Sequence, residues 1–510
     1  RDMGADIIIA VDITDPLLKT DEIKEAFSVV GQLTTLLTRR NTEDQLVLIT
    51  DNDVLIRPRL EGYGSADFYD GPVLFELGAT AAREHAVELN NLTVSAEEWR
   101  AFREGLEQRE VTVDKVARIE FKAGRRLSTE FLKERVRQKA GEPLDIEQLE
   151  SDLKRIYGLG YYETVSWSLR PSEQGPVLNV QAREKRWGPN YLSSGLSYED
   201  NFNGDTRFNL AAGLRMTELN SLGAEWHVGA QLGTQPWFRT QWYQPLDFGY
   251  ERFAVIGIEH ERDDYSVYED SARIAEIDVA RTQVDAAIGM ELGGDAEVRI
   301  GYVRGSVRVE DSVGDQVAPS SRIHQGYANV QLVHDSLSDS FYPKSGGFAG
   351  IRARFERPGL GSDRDFDSIT GMLLGTASWQ RFNVTGLLYT KQVVSGEAGI
   401  ENAARLGGFR RLSAYAAGEL SGNDAALAGA YARREFGGPF MPWFAGVGFE
   451  TGNTWDRIDD ARWDNLVRSW SVFAGVDTFV GPLQFSVAYN NEDDWTAYMN
   501  IGFSFTQLFY

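Results

Sequence analysis

From about residue 188 to the end of the chain, apolar and polar side chains alternate with a period of two. In RFNLAAGLRMT, apolar residues such as Phe208 and Leu210 fall on one face, whereas Arg207 and Asn209 fall on the other. FAGIRARFE and LQFSVAYNN repeat this pattern. Strict alternation is typical of strands that present one face to an apolar environment. Roughly 320 residues, at about 20 for each strand and its loop, predict about 16 antiparallel strands.

The polar face of these strands distinguishes a barrel from a soluble β-protein. It carries Gly, Arg, Asn and Gln in strand after strand, whereas the inner faces of a sandwich are rich in Val, Leu and Ile. No repeat of roughly 40–50 residues suggests the blades of a propeller. Closing the sheet removes the edges that such a long sheet would otherwise expose. We therefore expect a transmembrane barrel with an apolar exterior, and a soluble sandwich or propeller is the alternative.

The end of the chain has the pattern of the last strand of this barrel. In MNIGFSFTQLFY, Met499, Ile501, Phe503 and Phe505 share one face, and the chain finishes at Tyr510. A strand that ends on an aromatic residue suits a barrel whose last strand pairs with its first. We interpret Phe503, Phe505 and Tyr510 as a C-terminal strand signal.

Residues 1–110 have the pattern of alternating strands and helices. The apolar run from Ile7 to Ile13 is typical of a strand that is buried on both faces, and DVLIRPRL is a second strand-like piece. Helical spacing recurs over Glu22 to Arg39, Val73 to Leu89 and Ser95 to Gln108. Because these strands are too few to cover a buried parallel strand, we expect only part of an α/β layer here, with its remainder upstream.

Residues 111–186 follow a β-α-α-β-β order and predict one small α+β module. ARIEFKAG predicts a strand, and Asp145 with Gln148 three residues later predicts the start of a helix. Gly158 stands where the cap at the end of this helix is expected. YYETVSWSL and PVLNVQARE alternate as two further strands. The predicted inner face of the helix comprises Ile146, Leu149, Leu153 and Ile156.

Composition and charge narrow the classes of function. The formal charge of −24 opposes attraction to nucleic-acid phosphates, so we expect no nucleic-acid partner. The chain has no cysteine, and its five histidines are scattered, so we expect no metal site and no cofactor. No run approaches 18 apolar residues, which argues against a transmembrane helix. The 51 glycines and 12% aromatic residues suit a lipid-facing barrel.

The three segments in this order resemble type Vd autotransporters, which join a patatin-like phospholipase domain, one POTRA domain and a 16-stranded outer-membrane barrel. The resemblance implies a multidomain chain with the C-terminal part of a patatin-like domain (1–110), a POTRA domain (111–186) and an outer-membrane β-barrel (187–510). IYGLGYYETV, residues 156–165, is similar to POTRA sequences around the second helix and the following strand. Such a domain presents an edge strand for β-augmentation, or alternatively acts as an inert spacer.

Two stretches of the barrel resemble a superfamily that includes barrel-assembly and two-partner-secretion transporters. VHDSLSDSFYPKSGGFAGIRA is similar to a motif of that superfamily, whose positions here are Asp335, Asp339, Pro343 and Gly346. LGGFRRLSAY resembles the tip of a long loop that folds back into the barrel lumen.

In that superfamily, an arginine of the loop tip pairs with an acidic residue on the inner barrel wall. FAGVGFETGNTW matches the strand that supplies the acid, and alternation points Glu450 into the lumen. A lumenal carboxylate favours an arginine partner, because a charge-assisted contact offsets desolvation. The resemblance implies a loop-to-wall lock between Glu450 and Arg410, or else Arg411. Leu-Ser-Ala follows Arg411 in place of the usual glycine and aromatic residue, and a solvated external loop is the alternative for both arginines.

MGADIIIAVDI resembles the patatin strand that lies just downstream of the catalytic aspartate. Patatin-type lipases use a Ser-Asp dyad, with the serine in a G-x-S-x-G turn. No G-x-S-x-G occurs between Arg1 and Tyr510, Asp70 suits the start of a helix, and Asp12 suits a strand end. We therefore expect the dyad upstream of residue 1, so that this chain holds no catalytic residue and has no esterase activity by itself.

The resemblance thus implies the anchoring or translocating part of a phospholipase that hydrolyses phospholipid acyl esters. The competing hypothesis is a POTRA-barrel transporter or assembly factor of the outer membrane. Expected partners are outer-membrane lipid and the barrel-assembly machinery, with phospholipid as substrate of the intact enzyme, and a homodimer is compatible with the sequence. The expected location is the bacterial outer membrane, with residues 1–186 in the periplasm or at the cell surface.

Overall fold

The chain divides into two compact units, Arg1–Thr112 with Gly437–Pro442, and Val113–Phe436 with Trp443–Tyr510. None of the described helices is long and apolar enough to cross a membrane. The computed structural model describes residues 5–14, 35–36, 39–40, 42–60, 63, 71–107, 115–124, 129–269, 271–314, 320–339, 341–436, 442–478, 481–491 and 494–502.

The first unit contains a two-stranded parallel sheet, formed by β1 (Ile9–Val11) and β2 (Val54–Ile56). Val54 and Ile56 are buried against Ala81 in a small apolar core. The helices of this unit include α1 (Gly71–Glu84), α2 (Ala86–Asn90) and α3 (Ala96–Glu107). Residues 42–46 are also helical.

Two expectations for this unit differ from the structure. β1 is not buried on both faces, since Ile9 is 54% exposed, because β2 is its one neighbour among the described strands. The helix predicted over Val73 to Leu89 is interrupted at His85, so that α1 and α2 are separate. The helix predicted over Glu22 to Arg39 lies largely outside the described residues.

The second unit begins with the predicted α+β module. Its elements are β3 (Arg118–Lys122), α4 (Thr129–Arg135), α5 (Ile146–Gly158), β4 (Tyr162–Arg170) and β5 (Val177–Glu184). The sheet order is β3-β5-β4, with β3 parallel and β4 antiparallel to β5. Helices and sheet enclose an apolar core that includes Phe131, Leu149, Ile156 and Val180.

Helix α5 begins as the sequence predicts and ends differently. Asp145 accepts a hydrogen bond from the backbone N–H of Gln148 at 2.9 Å. Ile146 is 49% exposed and does not join the predicted inner face. The left-handed residue is Gly160, with φ 79°, and not Gly158, because the helical backbone continues through residue 159.

Sixteen antiparallel strands close into a barrel, as predicted. They are β6 (Asn190–Asp200), β7 (Thr206–Met216), β8 (Glu225–Gly233), β9 (Trp237–Pro245), β10 (Arg252–Glu269), β11 (Ala272–Leu292), β12 (Ala296–Gly314), β13 (Ser321–Asp335), β14 (Gly346–Glu356), β15 (Phe366–Trp379), β16 (Phe382–Gly396), β19 (Asp424–Phe436), β20 (Trp443–Trp455), β21 (Val467–Val476), β22 (Leu483–Asn490) and β23 (Trp495–Ile501). Between β16 and β19, β17 (Ala404–Leu406) and β18 (Leu420–Gly422) form a hairpin. Short 3-10 helices occupy Pro358–Leu360, Ile400–Asn402 and Ile458–Asp460.

The barrel closes between β23 and β6, where Met499 lies opposite Asp200. The predicted C-terminal strand signal, Phe503, Phe505 and Tyr510, lies outside the described residues.

Alternate barrel residues face the exterior and the lumen as predicted. On β20, Trp443 and Val447 are 65% and 56% exposed on the outer face, whereas Phe444 and Glu450 are buried on the inner face. This alternation puts apolar side chains on the exterior and charges in the lumen, as expected for a barrel in lipid.

The barrel wall is uneven in height. Strands β10 to β13 have 18, 21, 19 and 15 residues, whereas β8 and β9 have 9 each. β9 pairs with β10 only as far as Glu261, so the remainder of β10 extends beyond it. This extension lies at the end opposite the α+β module, which joins the start of β6. We name β10 to β13 the tall wall.

Candidate functional site

A long loop between β16 and β19, residues 397–423, returns into the barrel lumen. We name residues 407–419, between β17 and β18, the loop tip. Phe409, Arg410, Leu412 and Tyr415 of the tip are each at most 3% exposed. Their contacts are with lumen-facing side chains, so the tip fills part of the barrel interior.

The loop tip turns sharply because several residues adopt a left-handed backbone. Gly407 has φ 102°, and a Cβ at this position would lie 2.0 Å from the carbonyl oxygen of Ala416, so only glycine fits. Arg410 and Leu412 have φ 56° and 74°. Each such residue costs about 1–2 kcal/mol, which the contacts of the tip must offset.

The Glu450 side chain, on the inner face of β20, accepts a hydrogen bond from the backbone of the loop tip. The Tyr431 hydroxyl donates to its Oε1 at 2.6 Å, and the backbone N–H of Ser413 donates to its Oε2 at 2.6 Å. On the neighbouring strand, Ser469 lies opposite Glu450 and accepts from the backbone N–H of Ala414 at 3.0 Å. The tip backbone is therefore hydrogen-bonded to two adjacent strands, β20 and β21.

Arg410 is held beside Glu450 by hydrogen bonds and aromatic rings. Its guanidinium donates to the Tyr342 hydroxyl at 3.0 Å and to Oε1 of Gln484 at 3.2 Å. The guanidinium carbon lies 4.8 Å from the centroid of the Tyr431 ring. Hydrogen bonds and cation–π contacts of this kind offset the free-energy cost of removing the guanidinium charge from water.

The predicted lock takes a different form from a direct arginine–carboxylate contact. Arg410 and Glu450 lie in one cluster, and Tyr431 contacts both, but the donors to the carboxylate are Tyr431 and Ser413. Arg411, the second choice for the lock, is partly exposed. The tip is too deeply buried to be a solvated external loop, so that alternative for the two arginines is wrong.

The four motif residues predicted from the sequence shape the connection between β13 and β14. Asp335 and Asp339 accept hydrogen bonds from backbone N–H groups two or three residues later, one of them that of Tyr342 at 2.8 Å. The Pro343 carbonyl accepts from a β15 threonine hydroxyl at 3.1 Å. Gly346 has φ 96°, which favours glycine. This segment thereby presents Tyr342 to the loop tip.

The loop stem, residues 397–406, is held by charged groups of β11, of β16 and of the segment between β14 and β15. The Glu401 side chain is fully buried and pairs with Arg364 at 3.0 Å. Arg281 of β11 donates to the Glu401 carbonyl at 3.3 Å. Lys391 of β16 donates to the carbonyl of Asn402 at 2.6 Å. The loop therefore has two attachments of different chemistry, one at its stem and one at its tip.

The α+β module contacts two turns of the barrel, and we name this set of contacts the joint. Arg135 at the end of α4 donates to the carbonyl of Phe248, in the turn between β9 and β10, at 3.2 Å. Its guanidinium lies 4.3 Å from the Tyr250 ring and 4.7 Å from the Phe131 ring. Tyr250 also donates to the carbonyl of Gly223 in the neighbouring turn at 3.2 Å.

The joint includes a second contact, between Tyr161 of the module and Glu225 at the start of β8. Burial raises the pKa of Tyr161, so its hydroxyl remains protonated and donates to the Glu225 carboxylate. Arg215 donates to both oxygens of Glu225, at 2.7 and 2.8 Å, and a His227 ring nitrogen lies 2.6 Å from it. The module is therefore fixed to the barrel by buried polar contacts.

Several residues of this site were missed by sequence reasoning. Tyr431, Ser469 and Gln484 occupy lumen-facing positions, so alternation together with their polarity could have identified them. Ser413 contributes its backbone N–H and Tyr342 belongs to an irregular segment, so neither has a periodic signal.

Comparisons with known proteins agree with this architecture. A POTRA family model, described as surface antigen variable number repeat, matches residues 115–185. BamA from Haemophilus ducreyi lacking POTRA domains 1–3 is similar, with a TM-score of 0.58 and 14% identity, over 76% of this chain and 84% of that chain. CdiB from Acinetobacter baumannii has a TM-score of 0.52 and 11% identity, over 76% and 74%. No curated protein sequence matches.

These findings confirm a POTRA domain followed by a sixteen-stranded barrel, and at such identities the structural likeness shows the fold alone. A closed barrel with an apolar exterior and a POTRA domain fits the bacterial outer membrane, with the POTRA segment in the periplasm. The end of the barrel that carries the tall-wall extension therefore faces the cell exterior.

Proposed function

We propose that the chain is a POTRA-barrel transporter or assembly factor, which passes polypeptides through the outer membrane or inserts them into it. This favours the competing hypothesis over the phospholipase anchor. The likeness of the fold to BamA and to CdiB supports the class of function. The partners would then be unfolded polypeptides arriving from the periplasm.

The observation that carries this proposal is the fixed joint between the POTRA domain and the barrel. β3 and β4 are the outer strands of the POTRA sheet, and an extended polypeptide can add to such an edge. Because Arg135 and Tyr161 hold the domain on the turns that precede β8 and β10, a captured segment would stay beside the barrel opening. An inert spacer would not require buried polar contacts of this kind.

Insertion of a small urea-unfolded outer-membrane barrel into liposomes tests this proposal. We expect liposomes that contain the chain to insert the probe several-fold faster than empty liposomes. Arg135→Met should lower this gain, because it removes the contacts of Arg135 with Phe248 and Tyr250 and so weakens the joint. Lys154→Met removes the same charge from an exposed position of α5 and should have no effect. Equal rates with and without the chain would contradict the proposal.

A second candidate function is that the chain anchors a patatin-like phospholipase. The parallel pairing of β1 with β2 supports it, since an α/β hydrolase contains a parallel sheet. The test is hydrolysis of a phospholipid acyl ester by the product of the full reading frame. Activity that is lost when a serine of a G-x-S-x-G motif is replaced would support this function, and inactivity would exclude it.

A further inference from the structure

The outer face of the tall wall is layered along its strands. Residues that lie opposite one another across β10, β11, β12 and β13 form rows on the exterior. Three consecutive rows near the middle of the barrel are mainly apolar. They are Ala254, Ile288, Ile300 and Val330, then Ile256, Ala286, Tyr302 and Ala328, then Ile258, Val284, Arg304 and Gly326.

The next two rows toward the cell exterior are polar and basic. They are His260, Thr282, Ser306 and His324, then Arg262, Ala280, Arg308 and Arg322. Carboxylates follow in the row after these, at Asp264, Asp278 and Glu310. On these four strands, cations therefore lie next to the apolar surface and carboxylates lie farther from it, whereas Asp363, in the segment between β14 and β15, pairs with His324 at 3.1 Å. We name Arg304, Arg308, Arg322 and His260 the basic belt.

In three arginines of the basic belt, the described contacts leave guanidinium N–H groups available to bind a ligand. Arg304 gives one hydrogen bond, to the carbonyl of Leu360 at 3.2 Å, and its side chain is exposed. Arg308 and Glu310 are 3.7 Å apart and about half exposed, which is a weak surface pair. Arg322 is exposed and has no carboxylate partner among the described contacts. Arg262 is excluded from the belt because it pairs with Asp278.

The position of the belt matches the headgroup level of the outer leaflet. Two residues advance a strand by about 7 Å, and the strands of such barrels tilt by roughly 40°, so the row of Arg262, Arg308 and Arg322 lies about 25 Å above the row that begins with Arg252 and Met290, which is the height of the apolar band of such barrels. The belt follows directly after this band, on the side opposite the POTRA domain. Phosphate groups of outer-leaflet lipids lie at this level.

We propose that the basic belt binds the phosphate groups of an outer-leaflet lipid. Arg308 and Arg322 lie opposite each other on adjacent strands, so both guanidinium groups can reach one phosphate and donate paired hydrogen bonds to it. Arg304 lies two residues before the His260–His324 row on its strand and supplies a third charge at the edge of the apolar surface. This inference rests on the outer-membrane location and is independent of the transport proposal.

Native mass spectrometry of the purified chain with lipid A, whose sugar headgroup carries phosphate, tests this site. We expect the unaltered chain to retain lipid A and to retain much less phosphatidylcholine. The double variant Arg308→Gln, Arg322→Gln should retain lipid A several-fold less. Arg457→Gln, Arg462→Gln removes the same charge from an exposed loop and should behave as the unaltered chain.

Two further variants distinguish a loss of lipid binding from a loss of folding. Arg308→Lys, Arg322→Lys keeps the charge and should restore most of the binding, whereas Arg322→Gln alone should give an intermediate loss. Equal retention of lipid A by the unaltered chain and the double glutamine variant would overturn the proposal. Release of lipid A by millimolar inorganic phosphate would also overturn it, because the belt would then be a site for free phosphate.

Discussion

The inserted loop is attached to the barrel at two places, and their chemistry differs. At the loop tip, each charged group is bound by neutral partners: the Ser413 N–H and the Tyr431 hydroxyl donate to the enclosed Glu450 carboxylate, and Arg410 donates to Tyr342 and Gln484. The loop stem is held by ionised side chains, chiefly the pair of Arg364 and Glu401, in which the arginine is 34% exposed.

This difference indicates which attachment is permanent. A buried carboxylate that accepts two short hydrogen bonds is costly to unmake, because both donors would lose their partner. A partly exposed ion pair is weakened by salt and exchanges easily with water. The tip contacts the strands from β19 to β23, which include the strand that closes the barrel. We therefore interpret the tip as the lock of the loop and the stem as an adjustable support.

Glu450→Ala should give the largest effect. It leaves the Tyr431 hydroxyl and the Ser413 N–H unsatisfied, which we expect to cost roughly 2–5 kcal/mol. The barrel should lose its compact form on gels at a lower temperature, and ion conductance should rise because the tip is released. Glu297→Ala is the matched control, since Glu297 faces the lumen and pairs with Arg299 on its own strand. Unchanged heat-modifiability together with unchanged conductance would mean that the lock is not at Glu450.

Arg364→Gln should have the next largest effect, because it leaves the buried Glu401 carboxylate without its cation. Breaking a fully buried pair costs about 3–5 kcal/mol, and the partial exposure of Arg364 reduces our expectation to roughly 1–3 kcal/mol. Thermal unfolding followed by circular dichroism measures this loss. The conductance should stay near that of the unaltered barrel, since the tip remains bound. A conductance as high as that of Glu450→Ala would show that the stem, and not the tip, closes the lumen.

Tyr431→Phe should have a smaller effect, since it removes one of the two hydrogen bonds to Glu450 and keeps the ring beside Arg410. We expect a loss of about 1 kcal/mol in the same thermal measurement. Tyr389→Phe is the control, because Tyr389 faces the lumen on β16 and is not among the donors to Glu450. Equal losses for the two variants would mean that the Tyr431 hydroxyl has no specific role.

Added salt should give the smallest effect and should separate the two attachments. Screening should lower the stability of the unaltered barrel by a few tenths of a kcal/mol, through the pair of Arg364 and Glu401. This salt dependence should be smaller in Arg364→Gln than in the unaltered barrel and should keep its full size in Tyr431→Phe. Persistence of the full salt dependence in Arg364→Gln would place its origin elsewhere in the barrel.

The fold was largely predictable because it follows from local patterns. A period of two determines which side of a strand faces lipid, so the lumenal positions of Glu450 and Asn209 follow from the sequence. The order of elements and the Asp145 cap likewise predict the α+β module, and the resemblance of residues 156–165 identifies it as a POTRA domain. The exposed face of β1 and the shift of the left-handed glycine to Gly160 were not predictable, because neighbouring strands and the last helical turn decide them.

The site was only partly predictable because its contacts are between distant residues. Resemblance identified Arg410 and Glu450 as members of one site. It did not reveal that Tyr431 lies between them, which depends on the register of β19 against β20, or that a backbone N–H of the tip reaches the carboxylate. Tyr342 was missed because an irregular segment between two strands carries it.

The most direct test of the tip as a lock is a cross-link between the tip and the wall in intact outer membranes. The chain has no cysteine, so Ala414→Cys with Ser469→Cys provides the only thiol pair. A short bis-methanethiosulfonate, which forms a mixed disulfide with each cysteine and releases methanesulfinate, should join this pair in high yield, since the two residues are hydrogen-bonded. It should fail with Ala414→Cys and Val472→Cys, whose second position faces lipid. Absence of the first cross-link, with both thiols reactive toward a small maleimide, would contradict the inserted position of the tip.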